Sequence, residues 1–379
     1  MRQNAVPSSI LQALARIVAH SGRSYFEVIV EFCRVRLGLG RLSFADYDGL
    51  RLYDQSLYGD VDKSRFVGFR ASQKIWMQAN HRVDLFGLVN NKLAADILFA
   101  AHGFPVLQSF ALFREQVGLE NAFLIRTDSD LRTFLSNDQN YPFFGKPISG
   151  HQSLGSASID HYDRVSDRLI TSTGQYFTMD QFVAYVRTHA TSGYVFQRRL
   201  LPHAAIRLLC GNRVATVRVL TILSKGQPQI LRACWKIPAG SNVADNFWRD
   251  GNLLAQLDLE SGQVKRVLRR DGLGFSEITH HPESGLPITG TYVPQWTEVK
   301  RIALEATRVV EDIPLVGWDI APVDDGAVLV ELNETPDFRL HQLADRRGIV
   351  DDVLSNFLAD RKTDATLILR AARKHNRGQ

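Results

Sequence analysis

Apolar positions recur at helical spacing near the start of the chain. Ile10, Leu11, Leu14, Ile17 and Val18 share one face, and after a Ser21-Gly22 break Phe26, Ile29, Val30 and Cys33 form a second. Such faces serve either a membrane surface or a core. The core is favoured, because the polar side is not strongly basic. Ser43 and Asp46 have capping-box spacing and predict a short helix. Residues 91–102 predict a helix with Leu93, Ile97, Leu98 and Ala101 inward, stopped by Gly103-Phe104-Pro105. An extended stretch follows over 106–112, then a helix capped at Thr127-Asp128-Ser129 and running through Leu135. The pattern then predicts a strand at 141–144 leading into Gly145-Lys146-Pro147, a helix over 179–189, and buried strands at 194–196 and 214–223. No repeat or low-complexity segment interrupts this order. Helices and strands mix irregularly, which reads as α+β or α/β with several subdomains.

Composition changes that picture only modestly. The 379 residues suggest two or three packed units, and 45% hydrophobic against 22% charged residues excludes disorder as the main state. A net charge of +5 fits an anionic small molecule and is too weak and dispersed to require nucleic acid. Three widely separated cysteines, Cys33, Cys210 and Cys234, offer neither a disulfide framework nor CxxC metal spacing, so a reducing cytoplasm is expected. The N-terminal apolar stretch is broken by Gln12 and Arg16, unlike a signal peptide. The longest uncharged run, residues 97–113, is interrupted by His102, Gly103 and Pro105, and no membrane span is expected.

The segment richest in chemistry is 317–333, which predicts a β-hairpin. A three-residue Asp324-Asp325-Gly326 loop would pair Val323 with Ala327, Ala321 with Leu329 and Asp319 with Glu331. Asn333 then shares a face with Glu331, so three oxygen-bearing side chains converge at the open end, as a hard-cation site or as a solvated hairpin edge; the apolar flanks favour the cation. A two-residue Asp325-Gly326 turn would instead send Asp319 to the opposite face. Lys146 ends an apolar strand just before a polar, glycine-containing segment, 149–156, where it could meet a phosphate. No P-loop or GxGxxG spacing accompanies it. Arg218 lies in an apolar strand, where an arginine usually has an anionic partner, structural or otherwise. Asp245, Asn246, Trp248 and Arg249 are candidates for a substrate wall, or an ordinary loop. His280-His281 lacks a third ligand nearby, and Arg370 to Gln379 reads as a basic, solvated tail.

In this order the features resemble the ATP-grasp superfamily: Asn91-Lys92-Leu93 and a Gly-Phe-Pro break, Gly145-Lys146-Pro147 and a loop, a hinge at Gln197, then Asp319 with Glu331-Leu332-Asn333. The wording of residues 196–203, 215–221, 245–246, 251–253, 258–262 and 317–321 is most similar to the sugar-transfer-associated group, over roughly residues 85–345. The resemblance implies an α+β, ATP-grasp fold whose two α+β subdomains clasp ATP. A mainly helical region over 1–85 would precede the ATP-grasp domain of 86–360, with a mobile central subdomain at about 140–200 and a basic tail over 361–379. It also implies that Lys92 and Lys146 contact the phosphates, with the loop 150–156, including Ser153, over them. Backbone at Arg199 and Leu200 would meet adenine beside Gln197. Asp319, Glu331 and Asn333 would hold one or two Mg²⁺, and Arg218 would steady the transferred phosphoryl group or the acyl phosphate. No acid follows the hinge to bind ribose, which would fall to His203 or a neighbouring backbone group.

The activity implied is ATP- and Mg²⁺-dependent carboxylate–amine ligation through an acyl phosphate, on a sugar-derived or peptide-like substrate. Small-molecule carboxylate and amine substrates would be the partners. Phosphoryl transfer to a non-carboxylate acceptor, or nucleotide binding without turnover, are the alternatives. Oligomeric state is not legible.

Overall fold

The computed structural model describes residues 10–114, 122–149, 154–272 and 274–362. The start of the expected phosphate loop, with Ser153, and the tail 363–379 lie outside them. Two compact units result. The first joins Met1–His81, Asp312–Leu315 and Thr335–Gln379; the second comprises Arg82–Glu311 and Val316–Glu334.

The first unit is helical. Helices Ile10–Ser21 and Tyr25–Leu37 are separated where expected, and Ser24 caps the second through a capping box with Glu27. The Ser43–Asp46 capping box opens the helix Phe44–Gly49. Core packing of the first two apolar faces is only partly realised. Leu14 and Ile17 are buried, but Ile10 and Leu11 are exposed. On the second helix Val28 and Val35 face inward, while Phe26, Ile29 and Cys33 face out. Farther on, the Gln342 amide is buried and pairs both ways with the backbone of Val67, donating to its carbonyl at 3.0 Å and accepting from its N–H at 2.8 Å.

The second unit holds two seven-stranded sheets. One contains β1 (Ser109–Phe113), β2 (Phe123–Ile125), β3 (Phe143–Pro147), β4 (Ala157–Asp163), β5 (Arg168–Thr171), β6 (Tyr176–Thr178) and β7 (Tyr194–Arg198). Their order is β2-β1-β7-β3-β4-β5-β6, with β1 and β2 parallel and β7 antiparallel to both β1 and β3. Helices Asp128–Leu135 and Met179–His189 supply Phe134 and Phe182 to a core shared with Phe143, Ile159 and Phe196. Close aromatic contacts such as Phe134–Phe196 at 4.7 Å make this core specific in shape as well as apolar.

The other sheet contains β8 (Val217–Ser224), β9 (Gln227–Ile237), β10 (Leu253–Leu257), β11 (Val264–Asp271), β12 (Gly274–Ile278), β13 (Leu315–Val323) and β14 (Gly326–Asn333), ordered β12-β11-β10-β9-β8-β13-β14. Helix Trp296–Val309 covers one face with Val299, Ile302, Ala303 and Ala306. Buried polar groups on that face satisfy one another: Trp318 Nε1 donates to Thr221 Oγ1 at 2.9 Å, and Thr221 meets Thr307 at 2.8 Å. Strand alternation sends Arg218 to the opposite face.

The helix Lys92–Ala101, capped by Asn91, buries Leu93, Ala95 and Phe99. Ile97 and Ala101, expected inward, are exposed. Phe99 contacts Trp318, and Leu329 N–H donates to Pro105 O at 2.8 Å, which ties this helix and its exit to the hairpin β13–β14.

Candidate functional site

The hairpin reaches the expected end by an unexpected route. Its turn holds two residues, Asp324-Asp325, between the pair Val323 and Gly326. Pro322 therefore faces Ala327, and Ala321 faces Val328, contrary to the expected Val323–Ala327 and Ala321–Leu329 pairs. A continuous ladder would set Asp319 opposite Val330. The register shifts between Asp319 and Ile320, leaving Val330 as an extra residue, and Asp319 pairs with Glu331 after all. Asn333 pairs with Gly317, to whose carbonyl its amide nitrogen donates at 3.4 Å.

Asp319 is buried and fully engaged. Arg218 donates to it with both arms of its fork, Nε to Oδ1 at 2.6 Å and Nη2 to Oδ2 at 2.8 Å. Lys236 Nζ adds a contact at 3.1 Å to Oδ1. Burial would raise the Asp319 pKa, but the charges of Arg218 and Lys236 outweigh it and hold the carboxyl well below its ordinary range. Burial would likewise lower Lys236, and Asp245 and Asp319 overcome it and raise its pKa. Sequence reasoning missed Lys236. The signal was a lysine at an alternating position of Ala233-Cys234-Trp235-Lys236-Ile237, the same pattern that singled out Arg218.

A second cluster surrounds Lys146 on β3. This lysine is buried, and burial lowers its pKa against the raising influence of Asp96 and Glu331. Lys92 opens its helix with its backbone N–H on Ile148 O at 3.2 Å and its Nζ 3.3 Å from Glu331 Oε1. Two lysines therefore gather at a helix N-terminus, whose dipole already favours an anion. Asp96, another residue the sequence reading passed over, lies one turn along. Burial pushes its carboxyl up to about 6, with Lys146 and Gln197 opposing. Gln197 is wholly buried on β7; its Nε2 donates to Asp96 at 3.1 Å, and its Oε1 meets no donor among the described residues.

Other expected residues have different surroundings. Arg199 is ion-paired with Asp160 on β4, and Leu200 follows it, partly buried. His203 caps the helix Ala204–Cys210, its Nδ1 accepting from Ala205 N–H at 3.1 Å. Arg207 is held by Asp324 in the hairpin turn at 2.9 Å. Asp245 accepts from Thr216 N–H at 2.7 Å and also from its hydroxyl, and Lys236 lies 3.5 Å away. Asn246 accepts from Trp248 N–H at 3.1 Å, while Arg249 is within electrostatic reach of Tyr185 on the helix covering the first sheet. Among the described residues no three His, Cys, Asp or Glu side chains group as a metal cage. His281 is buried against Pro238 O, which accounts for half of the His280-His281 pair structurally.

The profile of the sugar-transfer associated ATP-grasp family matches residues 71–357. The chain belongs to this family. No curated protein sequence matches this ATP-grasp chain. Among solved structures it is similar to the VanG D-Ala:D-Ser ligase of Enterococcus faecalis, at 15% identity and a TM-score of 0.38, covering 72% of this chain and 61% of the ligase. It is also similar to the D-alanine–D-alanine ligase of Coxiella burnetii, at 10% identity and a TM-score of 0.41, covering 76% and 62%. The ATP-grasp chain thus spans about three-fifths of the length of these two ligases.

Proposed function

We propose that the protein is an ATP- and Mg²⁺-dependent carboxylate–amine ligase. The observation that carries this reading is the gathering of Lys92 and buried Lys146 at a helix N-terminus beside Glu331, in a member of the ATP-grasp family. Two ammonium groups and the positive end of a helix dipole repel one another, and the carboxylates beside them, Glu331 and the buried Asp96 with its pKa pushed up to about 6, offset part of that charge. A triphosphate supplies the rest. Gln197 Oε1 is suited to the adenine amine, and the backbone at Arg199 and Leu200 to the ring edge. His203 is the candidate for ribose: its Nδ1 accepts from Ala205, which leaves Nε2–H to donate.

Glu331 and Asn333 offer oxygen donors to a hard cation that shares its coordination with phosphate and water, and Asp319, whose oxygens already meet Arg218 and Lys236, would join them by exchanging one of those contacts. They would hold Mg²⁺, which supplies charge neutralisation at the phosphates. Arg218, oriented by Asp319, would steady the phosphoryl group in transfer. A substrate carboxylate oxygen attacks the γ-phosphorus and ADP leaves. The amine nitrogen then attacks the acyl carbon, phosphate leaves, and the nitrogen gives up a proton. Asp245 is already engaged by Thr216 and Lys236, so Asn246 and Arg249 are the residues proposed to meet the substrate. The sugar-derived or peptide-like character of that substrate comes from the family alone.

The test is phosphate release over pooled uronic acids, amino acids and amines, repeated with hydroxylamine as the amine. ATP-dependent hydroxamate is expected. Phosphorylated acceptor without hydroxamate would identify a phosphotransferase and overturn the ligase reading.

A further inference from the structure

The exposed face of the helix Tyr25–Leu37 contributes no residue to the proposed nucleotide site and has a charge pattern of its own. At about 100° per residue, Phe26, Ile29, Val30, Cys33 and Leu37 fall in one stripe about 100° wide. The buried residues Val28 and Val35 lie on the opposite side. The stripe is open: Phe26 is 77% exposed, Ile29 45% and Leu37 86%. Arg34 and Arg36 flank it, each about 80° from its midline. The chain continues as Gly38-Leu39-Gly40-Arg41, with Leu39 85% exposed and Arg41 also exposed. Among the described residues, Arg34, Arg36 and Arg41 are in no ion pair, and Arg36 reaches only the carbonyl of Leu42. The acids of this helix are otherwise engaged: Glu31 with Arg23 and Lys63, Glu27 in the N-terminal capping box.

We propose that this helix and the turn after it form a peripheral binding surface for an anionic lipid bilayer. The apolar stripe and Leu39 enter the boundary between headgroups and acyl chains. The three arginines, extending sideways from the stripe, reach lipid phosphates. Charge decides against a second copy of the chain. A two-fold contact with the helices parallel would set these arginines against the same arginines of the partner, and an antiparallel one would set them against the first helical turn, whose acid Glu27 is held in its capping box.

Co-sedimentation of the full chain with phosphatidylcholine vesicles, with and without phosphatidylglycerol, tests the proposal. Binding is expected to the anionic vesicles and to weaken with salt. Phe26→Asp with Leu37→Asp should lower it more than about tenfold, and Arg34→Ala with Arg36→Ala about fivefold per arginine. All four side chains are exposed, so the melting temperature should stay unchanged and separate lost binding from lost folding. Wild-type protein that ignores anionic vesicles, or folded variants that sediment as well as wild type, would overturn the proposal. So would a lipid-free dimer that Leu37→Asp dissociates, because the stripe would then be an interface between copies.

Discussion

Asp96 shows how much a single residue can depend on its surroundings. Nothing in Leu93-Ala94-Ala95-Asp96-Ile97 marks the acid as special; its position beside Lys146 and Gln197 comes from β3 and β7, far away in sequence. Its folded pKa of about 6 lies above the unfolded value of 3.8. The folded state therefore holds the proton more tightly. The stabilisation is complete below 3.8 and is lost as pH rises through about 6. An Asp96→Asn variant lacks this titration. Between about pH 4 and pH 7 the wild type should lose about 2 kcal/mol relative to the variant, read from urea unfolding at the two values. Parallel stability curves would show that Asp96 is not buried as described. Arg218 was easier to read, since a charge within an apolar strand demands a partner. Lys236 obeys the same rule on β9, between the buried Trp235 and Ile237.

At the scale of elements, capping chemistry was the most legible feature. The box at Ser43 and the cap at Thr127 are local arrangements of side chain and backbone, and they form as spelled. Faces were less legible. Ile97 and Phe26 look like core residues by periodicity, yet a helix buries only the side that another element covers. The hairpin combined both cases. Its two-residue turn contradicts the expected loop, and the irregularity at Val330 restores the Asp319–Glu331 pair. Bulges answer to packing on both faces, which spacing along one strand does not record. On β3 the decisive contact is also cross-strand. A Cβ on Gly145 would stand 2.5 Å from the ring of buried Tyr194, whose hydroxyl donates to Gly155 O at 2.9 Å. Gly145→Ala should displace that ring, destabilise the protein by about 1–3 kcal/mol in thermal or urea unfolding, and weaken ATP binding by misplacing Lys146. An unchanged melting temperature and affinity would contradict this packing.

For the whole molecule, the ordered series of short motifs points to the family without any geometry, and the family profile agrees over residues 71–357. Long-range grouping was not legible. Thr335–Gln379 joins the unit of the N-terminal helices, through contacts such as Gln342 with Val67 that no local pattern announces. The central claim is that the cations at Lys92 and Lys146, with the acids at Asp319 and Glu331, form a site for ATP and Mg²⁺. Calorimetric titration of ATP, with and without Mg²⁺, into wild-type protein and Lys146→Met tests it most directly. The account predicts binding that strengthens with Mg²⁺ and weakens by at least about tenfold in the variant, the loss of one charge-assisted phosphate contact. ATP that fails to bind in the presence of Mg²⁺, or binds a folded Lys146→Met protein as tightly as the wild type, would contradict it.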